Sequence, residues 1–413
     1  MADLTIKPQA GTGNKLIIQD QAGNARVTTS DAGIDIPAVS GNFAAAGNLT
    51  VSGDFVPSAA LSNRNMIING GMLVWQRTTA ATAASGYDTV DRWKMNENSD
   101  GAMTSQQHDM SLAELNTTGH KTALRLDVTT ADTSIAASQY VYFHQRIEAR
   151  NLQHLQYGTA NAKTITLSFW VKSNKTGIYV IHIKKADTTQ YICPIEYTIS
   201  SADTWEQKKI TLTPTAGSTS LITGAGGIIL NDKNEGFQVG FGLAWGSNYH
   251  GTNNTWADTT TLFATSNQVN WMDSTSNNFY ITGIQLEVGS NATPFEHRTY
   301  QEDHIKCCRY YQILQGLGGM CAPALQNSST NYAFTLPLVT PLRSSPTLTR
   351  TGNLTMCRHN GYETLTADSN VYWRSDPIQP SVDFAGAGLS QGSDMYGGMM
   401  YCGTTKFELY AEL

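Results

Sequence analysis

The chain has 413 residues, of which 15% are charged, and a formal net charge of −6; an average soluble domain carries about 25% charged residues. That balance gives no global field for nucleic acid or an anionic membrane, and no Lys/Arg run builds a local one. No stretch approaches the apolar length of a membrane-crossing helix, and the length admits roughly two to four domains with at least one real core.

After Met1 the chain reads Ala2 to Lys7 with neither a basic start nor an apolar run, so no signal peptide is expected. Assembly in a cytoplasm follows as the expectation. Ser, Thr, Asn and Gly are abundant between Val, Ile, Thr and aromatic runs, which favours strands and turns over helices.

Residues 1–60 differ from the rest. Short apolar pieces (Leu16 to Ile18, Ile34 to Ile36, Leu49 to Val51) are punctuated by Gly11, Gly13, Gly23, Gly33, Gly41, Gly47 and Gly53. No piece is long enough to bury a core within one chain. Disorder fits; so do β-pieces that wind with copies of themselves, and the regular rhythm favours these.

Residues 61–298 carry alternation of period two. It is visible at Leu124, Leu126 and Val128, at Ile165 to Val171, at Phe237 to Trp245, and at Ile284 to Val288. Half-buried antiparallel strands of this kind predict a two-sheet sandwich of jelly-roll form. Residues 299–314 read as one linking helix. Thr299 and Glu302 form a capping box, and Asp303 adds charge of the right sign. Residues 315–413 return to β-pattern at Tyr332 to Leu338, Leu348 to Leu354, Val371 to Trp373 and Phe407 to Leu413. The glycine-rich stretch from Ala385 to Gly403 reads as a loop. The predicted class is all-β: a short β-stalk, an antiparallel jelly-roll sandwich, one helix and a small C-terminal β-domain.

The six cysteines (Cys193, Cys307, Cys308, Cys321, Cys357, Cys402) form no C-x-x-C pair and have no His at zinc spacing. Buried thiols are expected, with no metal and no cofactor. Cys307 and Cys308, adjacent on a helix, point about 100° apart and make no redox pair.

Three stretches resemble phage tail-fibre proteins. The first is Asn63 to Met72 with Trp75 to Arg77 and Tyr87 to Trp93. The second is Ile284 to Gly289, Ala292 to Arg298 and Cys308 to Tyr311; the third is Leu336-Pro337, Pro341 to Thr347 and Phe407 to Leu413. The middle region also resembles carbohydrate-binding sandwich modules, through Thr166 to Lys172 and Thr204 to Thr213. The resemblance implies a non-catalytic virion protein, a homotrimer joined to other tail proteins at its N-terminal end. Its receptor would be a host-surface polysaccharide or lipopolysaccharide, with no membrane insertion. A capsid-decorating or tail-assembly protein, a bacterial surface adhesin and a glycan depolymerase are the alternatives.

The chemistry-bearing clusters sort into two kinds. Asp91-Arg92-Trp93 and Glu296 with Arg298 could serve a catalyst, but read better as an ion pair and stacked aromatic closing the two ends of one sandwich. No nucleophile elbow, P-loop or H-E-x-x-H occurs, so no catalytic residue is expected. Aromatic and amide groups in loops suit sugars, whose C–H faces stack and whose hydroxyls need polar partners. Trp245, Tyr249, His250, Asn253, Asn254 and Trp256 follow one strand, and Tyr396 and Tyr401 sit in the glycine-rich stretch. Plain packing of Trp245 at its strand end is the competing reading.

Overall fold

The computed structural model describes residues 62–82, 85–315, 320–326, 331–352, 354–358, 361–365, 372–374, 381–387, 397–401 and 406–413, and three short strands before them. The chain divides into two compact units, Met1–Pro57 and Ser58–Leu413.

In the first unit β1 (Ile17–Gln19), β2 (Ala25–Ser30) and β3 (Gly33–Asp35) form an antiparallel sheet in that order. Two of the three apolar pieces thus pair within one chain, through a polar strand between them. The piece Leu49 to Val51 lies outside the described residues.

The second unit holds the sandwich. Its strands are β4 (Ala80–Ala81), β5 (Lys94–Asn98), β6 (Ala102–Asp109), β7 (Thr122–Thr130), β8 (Tyr140–Glu148) and β9 (Ile165–Ser173). They continue with β10 (Gly177–Lys185), β11 (Tyr191–Ile199), β12 (Glu206–Leu212), β13 (Glu235–Trp245), β14 (Ala257–Asp258) and β15 (Asn278–Val288). One sheet runs β14-β11-β10-β13-β8-β5 and the other β12-β9-β15-β7-β6-β4. Pairing between these strands is antiparallel, and the fold is a jelly-roll sandwich.

Alternation explains the core. Phe143, Ile181 and Phe241 face inward from one sheet, against Leu124, Phe169 and Ile281 from the other. Phe241 sits at the centre, stacked on Phe143 at 5.1 Å and edge-on to Phe169 at 5.1 Å. Each such ring contributes about 1.5–3 kcal/mol of burial. The expectation of half-buried strands fails at β13 and β15, which are buried along almost their whole length on both faces.

Along its edge, β15 is flanked by a strand-like segment of the chain itself. β15 pairs with β7 only from Asn278 to Ile281. It bulges after Thr282 and then bonds residues 65–71: Met66 N–H donates to Leu286 O (2.9 Å) and Ile284 N–H to Gly70 O (2.9 Å). A Cβ at Gly70 would lie 2.0 Å from Ile284 O, so only glycine permits the approach. Glu296 accepts the backbone N–H groups of Arg64 (3.3 Å) and Asn65 (3.0 Å), and Arg298 donates to Ile67 O (3.1 Å) and Glu296 (2.9 Å).

Helix α1 (Leu112–Thr118) has a capping box from Ser111 and Glu114 and ends at Gly119; the reading of a single helix missed it. Helix α2 (Tyr300–Cys308) has the Thr299–Glu302 capping box. Cys193, Cys307 and Cys308 are free and buried.

Beyond α2, β16 (Tyr311–Gln315), β19 (Thr347–Thr351) and β25 (Lys406–Tyr410) form a sheet of order β16-β25-β19. A seven-stranded sheet combines β17 (Met320–Gln326), β18 (Asn331–Pro337), β20 (Leu354–Arg358), β21 (Gly361–Leu365), β22 (Tyr372–Arg374), β23 (Ser381–Ala387) and β24 (Gly397–Tyr401), in the order β21-β20-β24-β17-β18-β23-β22. The stretch from Ala385 to Gly403 is therefore not all loop. Its Gly397–Tyr401 pairs on both sides, and two-sided ladder bonding outweighs the low strand propensity of glycine.

The Asp91-Arg92-Trp93 cluster and the Glu296–Arg298 cluster each hold ion pairs. Arg92 is 1% exposed, pairs with Glu412, donates to Arg146 O (2.7 Å) and lies 3.4 Å over the Tyr310 ring. Arg77 binds the same carboxylate at 3.1 Å, and Asp91 at 3.4 Å. Both clusters staple the chain, but to different partners. Glu412→Ala leaves the buried Arg92 guanidinium without a carboxylate, while Arg77 keeps Asp91, and should cost about 3–5 kcal/mol, read as a fall in the thermal unfolding temperature. A loss under about 1 kcal/mol would mean that the pair is solvated.

Candidate functional site

The outer face of the β14-β11-β10-β13-β8-β5 sheet is built by register. Tyr142 lies opposite Gly242 and Asn96, and Gly242 opposite Val180, which faces Glu196. The next row runs Lys94, His144, Gly240, His182 and Pro194. A bulge between Gly242 and Ala244 turns Trp245 onto the same face, opposite Tyr140. Bulges re-aim side chains in this way.

Glycines on the central strand leave room for rings. A Cβ at Gly240 would lie 2.1 Å from the His182 ring, and one at Gly242 would lie 2.3 Å from Trp245 Nε1. The rings then stack on one another. Trp245 lies parallel to Tyr142 (4.7 Å) and Phe263 (5.4 Å), and close to Tyr249 (5.1 Å) and Tyr140 (5.7 Å). Trp245 itself is 7% exposed; Tyr140, Tyr142, Tyr249 and Phe263 are half-buried and present ring surface to solvent.

Polar groups surround and underlie the rings. Asn267 Nδ2 donates to Glu196 Oε1 (3.0 Å) at one edge. Asn96 Nδ2 bonds His144 Nδ1 (2.9 Å), and Gln238 Nε2 bonds His182 Nε2 (2.8 Å). Burial holds both histidines neutral, pushing His182 down to about 3 and His144 well below the ordinary range, with nearby cations adding to the effect. With the amides donating, the protons sit on His182 Nδ1 and His144 Nε2. Neither has a hydrogen-bond partner among the described residues, nor do Trp245 Nε1, Thr265 Oγ1 or the amide of Gln268.

No protein-family model and no curated protein matches the chain. Among solved structures it is similar to the enzymatically active domain of bacteriophage CBA120 tailspike protein 4 (10% identity, TM-score 0.27), over 55% of this chain and 21% of that one. It therefore spans about a fifth of that structure's length. A putative sugar-binding protein from Bacteroides thetaiotaomicron matches at 13% identity and TM-score 0.30, over 55% of this chain and 100% of that one. A family 11 carbohydrate-binding module from Clostridium thermocellum, in complex with a mixed-linked tetrasaccharide, matches at 10% and 0.24, over 52% and 99%. Likenesses this distant carry no inference about ligand or role.

The sequence-selected residues divide at this site. Trp245 and Tyr249 belong to the ring cluster, and His250 Nε2 lies 3.2 Å from Trp245 O. Asn253 Oδ1 accepts the backbone N–H of Glu196 (3.1 Å), and Asn254 N–H donates to Pro194 O (2.7 Å), so both fasten the loop to β11. Trp256 corrects the reading. It is 1% exposed, belongs to the main core and donates from Nε1 to Thr213 O (3.1 Å), leaving no face for a ligand. Tyr396 lies outside the described residues; Tyr401 ends β24, and its side chain lies outside them too. Tyr140, Tyr142, His144, His182, Phe263 and Gln268 were missed. Their signal was glycine at 240 and 242 inside a strand, which marks close approach of another group.

Acid should weaken the fold through these rings. His144 and His182, with His120 (pushed down to about 4 by burial and His297), stay neutral when folded. Unfolding exposes them at about 6.5. Their contribution is complete above that value and is lost as pH falls, at about 1.4 kcal/mol per pH unit for each ring. Asp91, which burial pushes up to about 6, works oppositely below that pH. Thermal unfolding from pH 7 to 5 should show falling stability and a shallower slope in His182→Gln. A flat profile would mean that the rings titrate normally in the folded state.

Proposed function

We propose that this chain is the receptor-binding part of a phage tail fibre, which holds a host-surface glycan on the outer face of the β14-to-β5 sheet without catalysis. One observation carries the reading. Four half-buried rings, Tyr140, Tyr142, Tyr249 and Phe263, form one continuous surface around Trp245, beside the polar groups of Asn96, Glu196 and Asn267. Flat apolar surface next to directional amides matches the C–H faces and hydroxyls of a sugar.

The virion setting rests on the three tail-fibre-like stretches, and a trimer on the strand–glycine rhythm before residue 60. In this reading the first unit attaches to the particle and the second faces the host. A single site of this kind binds with Kd of about 1 mM, and three copies on one stalk raise avidity by about 10²–10⁴.

Adsorption of the full chain to host cells tests this. Tyr142→Ala combined with Phe263→Ala should lower it by about tenfold or more, with the unfolding temperature changed little. The mass in solution should be about three times 44.9 kDa. Tyr396→Ala with Tyr401→Ala, measured in parallel, separates the C-terminal stretch as the contact. Full adsorption by the Tyr142/Phe263 variant would refute the aromatic face as the receptor site.

A further inference from the structure

The sheet face that carries the rings does not end with them. Further along the same strands, the outward positions turn from aromatic to cationic. Lys94 lies opposite His144 in register, and Arg146 lies opposite Gln238, which faces Lys184. Side chains alternate along a strand, so Tyr142, His144 and Arg146 share this face, as do His182 and Lys184. From Tyr142 to Arg146 the strand advances about 14 Å at ~3.4 Å per residue, longer than one sugar ring. No run in the sequence groups these cations; β5, β8 and β10 bring them together.

Their charge is only partly answered. Glu235 lies 3.0 Å from Arg146 Nε and 2.8 Å from Lys184 Nζ. Lys94 makes no ion pair among the described residues, and its ammonium stands 5.9 Å from the centre of the Tyr87 ring. Three cations against one carboxylate leave a net charge of +2 here, in a chain whose formal net charge is −6. Glu148, beyond Arg146 on β8, is already taken by both arms of Arg309. Lys94, Arg146 and Lys184 are half-buried and reach solvent. Burial and the neighbouring Arg146 hold the Lys94 ammonium below its ordinary value; a bound anion would relieve the second of these.

The positive charge is confined to one end of the face. Glu196 stands in the Tyr142 row, with Asn267 on its Oε1. A uniformly charged chain such as single-stranded nucleic acid would bring phosphates against that carboxylate. A glycan in which an acidic sugar adjoins a neutral one meets both ends without the clash. We propose that the glycan held on this face is anionic, with a neutral sugar on Tyr142 and its neighbours and the carboxylate or phosphate of an adjacent sugar against Lys94 and Arg146. This rests on the aromatic face being the receptor site.

The probe is surface polysaccharide extracted from cells to which the full chain adsorbs, used to compete for that adsorption. It is tested native, with its carboxylates reduced to alcohols, and with its phosphates removed by hydrofluoric acid. Native material should compete, and one of the two treatments should raise the amount needed by about tenfold or more. The treatment that does so tells carboxylate from phosphate. Lys94→Gln with Arg146→Gln, which leaves Glu235 its Lys184, should lower adsorption by about tenfold. Lys94→Gln alone breaks no ion pair and should give part of that loss, so the test stands even if the double variant disturbs β8. Raising NaCl from about 50 mM to about 500 mM should weaken adsorption of the parent chain and hardly change that of the double variant. The proposal is overturned if both treated polysaccharides compete like the native one, if the Lys94/Arg146 variant adsorbs like the parent chain, or if poly(dT) competes as well as the polysaccharide. Loss of adsorption in the Tyr142/Phe263 variant beside full adsorption in the Lys94/Arg146 variant would refute the anionic ligand and keep the aromatic face. Full adsorption by the Tyr142/Phe263 variant would refute both.

Discussion

The buried charge of Arg92 is the constraint around which the second unit is assembled. A guanidinium with 1% exposure is tolerable only if its charge and donors are answered. The answers come from three distant places: the Glu412 carboxylate, which Arg77 shares, Arg146 O and the Tyr310 ring. Tyr310 in turn donates to Glu148 (2.7 Å), which also takes both arms of Arg309. Arg343 closes the joint by donating to Ala411 O and Glu412 O. Removing one member leaves the others charged and buried, so sandwich and C-terminal sheet are held as a unit.

That joint explains the tail-fibre-like stretches. Arg77 and Arg92 come from the first, Tyr310 and Tyr311 from the second, Arg343 and Glu412 from the third, and all meet here. Residues 65–71 of the first stretch also continue the sheet beside Ile284 and Leu286 of the second. The resemblance therefore marks the scaffold. The aromatic face uses residues outside those stretches, which is how one scaffold can present different surfaces.

Much of the fold was legible because alternation is a local signal. Leu124 to Val128 and Ile165 to Val171 sit in β7 and β9, as their period-two pattern requires, and Thr299 with Glu302 marked α2. What failed was non-local. Trp256 sits in a polar loop sequence, yet its indole turns into the core to reach Thr213 O, a contact set by a residue 43 positions away. Tyr140 and Tyr142 lie in an ordinary strand pattern. Only the register against Gly242 and the bulge after it bring them beside Trp245. The Ser111–Glu114 box is readable in the sequence, but α1 is only about two turns of helix with little apolar periodicity to mark it.

The same balance explains where unpaired polar atoms are tolerated. A buried donor without a partner costs about 1–3 kcal/mol, so a molecule held only by its core could carry few of them. Here the inner faces and the Arg92 joint do not depend on the outer face of β8 and β13. Unpaired atoms of His144, His182, Trp245 and Gln268 lie on that outer face, beneath rings that solvent partly reaches; others lie in the core, at Tyr157 and Tyr197, and at the joint, at Arg92 Nε. Replacing them with apolar groups of the same shape would remove that cost. His144 and His182 lie on strands bonded on both sides in register. A sugar would meet a preorganised surface, and the free energy of contact would go to binding with little ordering of the protein.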